Sequence, residues 1–135
     1  MMSNHDPAQP RVRLTEDPAL HHAVFVDAFN AGDPAAVDQT YEENGLVVPR
    51  PGHPLAGPAR TGAIAHLVGL GVPIESRPRH VYVAGDIALL IVDWSIRGTA
   101  RDGSGVRFEG TAADVARRGR DGLWRYVIDN PYGTA

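Results

Sequence analysis

The apolar residues in the first part of the chain predict a helix from Pro18 to Asn30. They recur every three or four positions, which is the spacing of one helical face, at Leu20, Val24, Phe25, Ala28 and Phe29. Asp17 offers a side-chain oxygen to the free amides of the first turn, and the residues after Asn30, Ala31-Gly32, are a typical stop signal. The apolar stripe of this helix must pack against another layer of the protein.

Two further helices are predicted in the first half of the chain. Asp33-Pro34 repeats the start signal and opens a short helix to about Tyr41, and a third helix is predicted from Pro58 to about Leu70. Between them, residues 45–48 are a short apolar strand. Residues 49–54 are expected to form a loop at the rim of the fold, because three of these six residues are prolines.

From Arg79 onward the apolar pattern becomes that of strands. Four segments are separated by turn signals rich in Gly and Asp, namely residues 80–84, 86–98, 106–118 and 123–129. They predict four sequential antiparallel strands, and the last hairpin, from Gly110 to Pro131, carries acidic residues within otherwise apolar strands. Two strands exceed ten residues and are apolar on both faces, so we expect helices to cover one face and a second subunit the other.

This order of elements predicts an α+β fold: a cone-shaped roll of three N-terminal helices packed on a curved, mostly antiparallel sheet. The expected partner is a second copy of the chain, in a homodimer through the outer sheet face. Residues 15–135 are predicted to form one domain, because this length is sufficient for a single core. Residues 1–14 are polar and interrupted by proline, which predicts a disordered arm.

Composition excludes several function classes. The chain has no cysteine, so disulfides, zinc-thiolate sites, iron-sulfur clusters and thiol catalysis are excluded. Its net charge is −3 with scattered arginines, which predicts no nucleic-acid partner. No apolar run approaches the ~20 residues of a membrane helix, and no signal peptide is evident at the start. We therefore expect a cytoplasmic protein without a membrane partner, and without a cofactor or metal, since no histidine lies in a ligand motif.

Three segments of the sequence resemble the nuclear transport factor 2-like superfamily. They are FNAGD at the end of the first helix, YEENGLVVPRPG in the following strand and loop, and DVARRGRDGLWRYVIDNP in the last hairpin. The resemblance spans about Asp17 to Pro131. It is closest to the SnoaL-like, ketosteroid-isomerase-like branch, and within it to the SgcJ/EcaC family of small actinobacterial proteins. It implies a cystatin-like roll around a pocket, in a superfamily of isomerases, cyclases, dehydratases, epoxide hydrolases and binding proteins.

The resemblance to ketosteroid isomerase gives counterparts for three active-site residues of that enzyme, of which one is retained. The third catalytic aspartate of that enzyme corresponds to Asp114, in the segment AADVARR. The tyrosine of its first helix corresponds to Phe25, and its general-base aspartate corresponds to Pro49. Because the base and one hydroxyl donor are replaced, the resemblance does not imply steroid isomerisation by that mechanism.

Alternation along the strands predicts which side chains line the pocket. The even-numbered residues 90–96, which include Trp94, share one face of their strand, and Asp93 lies on the other. If Val115 lies opposite Arg125, Asp114 shares a face with the even-numbered residues 126–130, whereas a slip of one residue places it beside Val127 and Asp129. The sequence leaves this register open and the resemblance favours the first. The predicted substrate-binding residues are Phe25, Tyr41, Trp94, Tyr126, Ile128 and Asn130.

Two residues are predicted to be catalytic. Asp114 lies among alanines, where poor solvation raises a carboxyl pKa, so that the neutral group can donate a hydrogen bond to a substrate carbonyl. A structural aspartate bonded to a backbone amide or to Tyr126 is the alternative. His53 is the candidate general base, because its near-neutral pKa suits proton transfer and its loop is expected to border the pocket.

These features predict a pocket protein that acts on a small hydrophobic, polyketide-like or polycyclic metabolite. The predicted chemistry is cofactor-independent acid-base catalysis of the isomerase, cyclase or dehydratase type, in secondary metabolism. A non-catalytic carrier of a hydrophobic metabolite is the alternative, and a dimerisation module with an incidental cavity is a third. An epoxide-hydrolase arrangement requires Asp93, Asp129 and Arg125 to lie inside the pocket together.

Overall fold

The structure, a computed structural model, describes residues 12–135. After a 3-10 turn at Pro18–Leu20, the helices are α1 (His21–Asn30), α2 (Pro34–Asp38) and α3 (Gly57–Gly69). The strands are β1 (Tyr41–Val47), β2 (Leu55–Ala56), β3 (Ile74–Ala84), β4 (Ile87–Thr99), β5 (Gly105–Arg118) and β6 (Trp124–Asp129). They form one sheet in the order β2-β1-β6-β5-β4-β3. The predicted fold class is confirmed: three helices pack on a curved, mostly antiparallel sheet.

The sheet combines a meander with one parallel pairing. Strands β3 to β6 pair antiparallel in sequence order, as predicted, whereas β1 pairs parallel to β6. This parallel pairing corrects the predicted second helix. The helix ends at Asp38 and Tyr41 begins β1, because the Thr40 carbonyl accepts a hydrogen bond from the Tyr126 amide at 2.8 Å and so aligns the chain along β6.

Other predicted boundaries differ by short distances. The strand predicted at residues 80–84 begins earlier, at Ile74. Pro78 does not interrupt it, because this proline lies beside an irregularity in the edge strand β3, where a proline is tolerated. Strand β1 is longer than the predicted 45–48, and the two-residue β2 was not predicted. Asp17 accepts from the Ala19 amide, but it caps the 3-10 turn, and α1 begins three residues later than predicted, at His21. The start of α2 agrees with its signal, since Asp33 accepts from the Ala36 amide.

The buried side chains form two clusters on the inner sheet face. The larger one joins the helices to β1, β6 and the adjoining ends of β3 and β4, and includes Phe29, Val37 and Ile64. The smaller one, around Leu90, Ala116 and Trp124, lies at the other end of the sheet. No helix within residues 12–135 covers the outer face. No helix in the described residues is long and apolar enough to cross a membrane.

Most of the predicted N-terminal arm lies outside the described residues. Within its described part, the Val12 amide donates a hydrogen bond to the Gln39 side chain at 3.3 Å, and Val12 packs against the larger cluster. The last residues of that segment therefore contact the domain.

Candidate functional site

An apolar cavity of about 390 Å³ lies between the helices and the inner sheet face. The face of α1 contributes His22, Phe25, Val26 and Phe29, which are spaced by three and four residues. The sheet contributes Val92, Trp94 and Ile96 from β4, as the predicted alternation requires, and Ala112 and Asp114 from β5.

The C-terminal turn forms one wall of this cavity. The Trp94 indole nitrogen donates to the Pro131 carbonyl at 2.7 Å, and the Tyr132 ring meets the Trp94 ring edge to face. A side chain at Gly110 would lie 2.9 Å from the Pro131 oxygen, so only glycine permits this close approach. Pro131 and Tyr132 thereby line the cavity.

Two hydrogen-bonded carboxyl groups, Asp114 and Asp129, also line the cavity. Asp114 is 4 % exposed and Asp129 is 9 % exposed. The Tyr41 hydroxyl donates to Asp129, and the Asn130 amide donates to Asp114 Oδ1 at 2.8 Å. We call Asp114 and Asp129 the carboxyl pair.

Burial determines the protonation of the carboxyl pair. Desolvation, followed by the charge of Asp129, raises the pKa of Asp114 well above its usual range. Desolvation also raises the pKa of Asp129, although hydrogen bonds from Tyr41 and Asp114 oppose the shift. Two adjacent buried charges are unfavourable, so the pair keeps one proton. The proton is on Asp114, and Asp129 is a carboxylate. Desolvation and the two carboxyl groups raise the pKa of Tyr126, so its hydroxyl stays protonated and is a hydrogen-bond donor.

An irregularity in the last hairpin brings both carboxyl groups to one face. Ala116 pairs with Tyr126 but Val115 pairs with Ile128, so Val127 is an extra residue and the alternation reverses after it. The predicted pairing of Val115 with Arg125 is therefore wrong. Neither register derived from strict alternation places Tyr126 and Asp129 on the same face.

The same irregularity corrects two predicted substrate-binding residues. Ile128 is paired with Val115 on the outer face and is 36 % exposed, and Asn130 does not line the cavity, although its backbone amide holds Asp114. Phe25, Trp94 and Tyr126 line the cavity as predicted, whereas Tyr41 lies behind it, in ring contact with Phe25 and Tyr126. Asp114 also accepts a hydrogen bond from a backbone amide, as expected for the alternative interpretation, a structural aspartate.

His53 is not at the site. It lies in the loop between β1 and β2, is exposed, and does not line the cavity, although Pro49 of the same loop does. Asp93 lies on the outer face, as predicted, where Thr111 donates to it at 2.7 Å and Arg79 is 3.6 Å away. An epoxide-hydrolase arrangement of Asp93, Asp129 and Arg125 inside the cavity is therefore not formed.

Arg60 supports the site from below and was not predicted. It is 4 % exposed and donates to the Glu42 and Gly45 carbonyls at 2.9 and 2.7 Å and to Asp38 at 3.1 Å. Its guanidinium also lies over the Tyr41 ring, 4.8 Å from the centroid. It thereby fixes the irregular start of β1 and the tyrosine that donates to Asp129. The only indication of this role in the sequence is that Arg60 is an arginine within the apolar stripe of a helix.

A second polar pair, His22 and Ser76, lines the cavity on the side of α1 and β3. The His22 Nδ1 atom lies 2.8 Å from the Ser76 hydroxyl oxygen, and burial lowers the pKa of His22. Its neighbour His21 is fully buried beneath Tyr126, with its pKa lowered by desolvation to about 4, and it donates from Nε2 to the Thr40 carbonyl. Within residues 12–135, no three His, Asp or Glu side chains are placed to hold a metal ion.

The carboxyl pair gives a testable dependence of stability on pH. Because the folded pKa of Asp114 exceeds its unfolded value, the folded state binds more protons, and its stability falls as pH rises from the usual carboxyl range through the raised pKa. We expect Asp114→Asn to remove most of this slope, which is at most about 1.4 kcal/mol per pH unit for one proton. The stability of the variant relative to the wild type therefore increases as the pH rises through this range.

Urea denaturation between about pH 5 and pH 8 measures this slope. Asp93→Asn is the matched control, because the same chemical change on the outer face leaves the carboxyl pair intact. Equal slopes in the wild type and Asp114→Asn would contradict a buried proton at Asp114.

The fold and the cavity together define a class of protein. Helices packed on one face of a curved sheet, with an apolar pocket between them, are typical of the cystatin-like α+β rolls that bind small molecules. The model of the SnoaL-like domain family matches residues 23–127, so the chain belongs to this family, within the nuclear transport factor 2-like superfamily. The predicted resemblance at this level is confirmed, and the closer relation to the SgcJ/EcaC family stays a prediction.

Solved structures show the same fold at low sequence identity. A candidate calcium/calmodulin-dependent protein kinase II association domain from Xanthomonas campestris is 15 % identical, with a TM-score of 0.69, over 93 % of this chain and 95 % of the other. A candidate ketosteroid isomerase from Shewanella frigidimarina is 18 % identical, with a TM-score of 0.65, over 84 % and 94 %. A candidate dehydratase of the same superfamily from Streptomyces avermitilis is 20 % identical, with a TM-score of 0.65, over 82 % and 88 %. No curated protein matches the sequence significantly.

Proposed function

We propose that the protein catalyses a cofactor-independent proton transfer on a small apolar, polycyclic or polyketide-like molecule. The observation that carries this proposal is the carboxyl pair at the wall of an apolar cavity, with both pKa values raised by burial. A carboxylate whose pKa is raised toward the working pH is a stronger base, and perturbed pairs of this kind are typical of active sites.

The two members of the pair have different roles in this reaction. The Asp129 carboxylate takes a proton from a carbon next to a substrate carbonyl, and the electron pair of the C–H bond moves into an enolate. Neutral Asp114 donates its one proton to Asp129 and holds that carboxylate in place, and the Tyr126 hydroxyl is the donor available to the enolate oxygen. Return of the proton to another carbon gives isomerisation, and its transfer to a departing hydroxyl gives dehydration, so both the proton and the electrons are balanced.

A chromogenic probe of proton abstraction tests this proposal. The probe 5-nitrobenzisoxazole is a flat aromatic molecule whose C–H proton passes to a base while the N–O bond breaks and a coloured phenolate forms. We expect the wild-type protein to accelerate this reaction with saturation kinetics and to be inhibited by 2-naphthol. The rate should rise with pH until Asp129 is deprotonated and then remain constant.

A carrier function is the second candidate, and one observation favours it. The oxygens of Asp129 accept hydrogen bonds from Tyr41 and Asp114, and both bonds make this carboxylate less basic. Calorimetry with 2-naphthol separates the two functions. Binding of 2-naphthol without acceleration of the probe reaction would overturn the enzymatic proposal in favour of a carrier, and absence of both would overturn both.

We also propose that the outer sheet face forms a homodimer interface. Four of its apolar side chains are between 36 and 57 % exposed in the single chain, and they lie on β3, β4 and β6: Tyr82, Ile87, Leu89 and Ile128. Paired side chains on adjacent strands make this face continuous, since Tyr82 is opposite Leu89. A face of this kind is typical of a protein interface.

The expected result is a monomer when Leu89 is replaced by glutamate, because the charge cannot be buried in the interface without a partner. Analytical ultracentrifugation should show a dimer for the wild type and at least a tenfold weaker association for Leu89→Glu, a change of about 1.4 kcal/mol. Leu20→Glu is the control, since Leu20 is 52 % exposed outside the sheet. A monomeric wild type would refute the dimer.

A further inference from the structure

We infer that His22 and Ser76 form a second polar subsite of the cavity, and that its ligand is a rigid apolar molecule with a hydroxyl or carbonyl group at each end. This inference rests on the proposed function, because the carboxyl pair takes one end of the ligand. It adds a requirement for the other end.

The two polar pairs lie at different places along the sheet. Ser76 is paired with Trp94, and Asp114 is paired with Leu90, so the two positions are four residues apart along β4 and lie on strands that flank it on opposite sides. With a rise of ~3.3 Å per residue and a strand spacing of ~4.8 Å, their Cα atoms are roughly 16 Å apart. Both side chains line the same cavity, so one ligand can contact both polar groups.

The wall between the two pairs is apolar. Val92 lies on the inner face of β4 between the levels of Asp114 and Ser76. Trp94 lies at the level of Ser76, and its nitrogen is already hydrogen-bonded to Pro131. On the helix side, Phe25 and Val26 follow His22 on the same face of α1. A ligand that spans the cavity therefore meets polar groups at two places and apolar surface between them.

The His22–Ser76 pair can bind either a donor or an acceptor. If the Ser76 hydroxyl donates to Nδ1, the Nε2–H group of His22 remains a donor. If Nδ1–H donates to Ser76, Nε2 is an acceptor and the Ser76 hydroxyl is free to donate. The pair can change between these arrangements by moving protons, which suits a hydroxyl or a carbonyl group equally.

Two matched pairs of probes test this inference by calorimetry: 2-naphthol with 2,6-dihydroxynaphthalene, and 2-hydroxyanthracene with 2,6-dihydroxyanthracene. A symmetric diol binds twofold better than its mono-ol for statistical reasons alone. We expect the diol of matching length to gain a further factor of about three to ten in wild-type protein, as one net hydrogen bond provides. In His22→Phe and Ser76→Ala the gain should return to the statistical factor of two.

The outcomes separate this inference from the proposed function. If the mono-ols bind and neither diol gains more than twofold, or if the gain survives in both variants, the second subsite is refuted and the proposed function stands. If the variants weaken mono-ol and diol by the same factor, the pair only holds α1 on β3, which also refutes the subsite. Failure of every probe to bind wild-type protein would refute the apolar ligand class itself, and with it the proposed function.

Discussion

In Asp129→Asn, the rate of proton abstraction from 5-nitrobenzisoxazole is expected to fall by a factor of about 10²–10⁴. An amide has nearly the same shape as a carboxylate but cannot accept the proton. Its oxygen can still accept the hydrogen bond from Tyr41, so the surrounding structure should be retained. The initial rate of phenolate release measures the effect, and 2-naphthol affinity shows whether the cavity persists.

Two control variants make this result specific. Asp93→Asn has the same chemical change on the outer face and should keep the wild-type rate, because Asp93 contacts Thr111 and Arg79 outside the cavity. Asp114→Asn keeps an oxygen for the Asn130 amide and a donor for Asp129, so it should lose less activity than Asp129→Asn. An Asp129→Asn variant that binds 2-naphthol and retains the wild-type rate would exclude Asp129 as the base.

The second large effect is expected in Arg60→Met, which should lower the free energy of unfolding by about 3 kcal/mol. Methionine keeps the apolar stem of arginine but provides no donor. The Glu42 and Gly45 carbonyls and the Asp38 carboxylate then lose the partner that now lies 2.7 to 3.1 Å from them. For a domain of this size the melting temperature should fall by roughly 10 °C.

Arg107→Met is the matched control for this prediction. The side chains of Arg107 and Glu109 are 69 % and 53 % exposed, and an exposed ion pair contributes little, so its loss should leave the unfolding curve unchanged. Thermal and urea unfolding of both variants provide the comparison. If Arg60→Met were within about 0.5 kcal/mol of wild type, apolar packing would account for the role of Arg60, and its hydrogen bonds would not.

The sequence predicted the layers of the fold more accurately than the arrangement of its site. Periodicity and turn residues locate α1, α3 and the strands of the meander, because each depends on neighbouring residues in the chain. The start of β1 at Tyr41 and the extension of β3 to Ile74 depend on pairing partners that are distant in sequence. Local patterns contain no information about those partners.

The site depends on one residue that alternation cannot detect. The predicted set placed Asp114 with Tyr126, which the structure also does, but it excluded Asp129 because strict alternation sends it outward. The extra residue Val127 reverses the faces after Tyr126, so Asp129 points inward and Ile128 outward. His53 was wrongly placed at the border of the pocket for a similar reason. A loop rich in proline has no periodicity from which the direction of a side chain can be deduced. His22 and Ser76 were missed because each is an isolated polar residue, and only the tertiary fold brings them together.

The cavity wall that the C-terminal turn builds limits what a family match reveals about the ligand. The model of the family matches residues 23–127, and three residues of the cavity lining, Asp129, Pro131 and Tyr132, follow that segment. Tyr132 contacts Trp94 through its ring, and the backbone there is accommodated by Gly110. Because these three residues line the cavity, a change in this turn would alter the ligand site while leaving the helices and the rest of the sheet in place. A match to the family model therefore identifies the fold, and the ligand has to be identified from the cavity itself, including this turn.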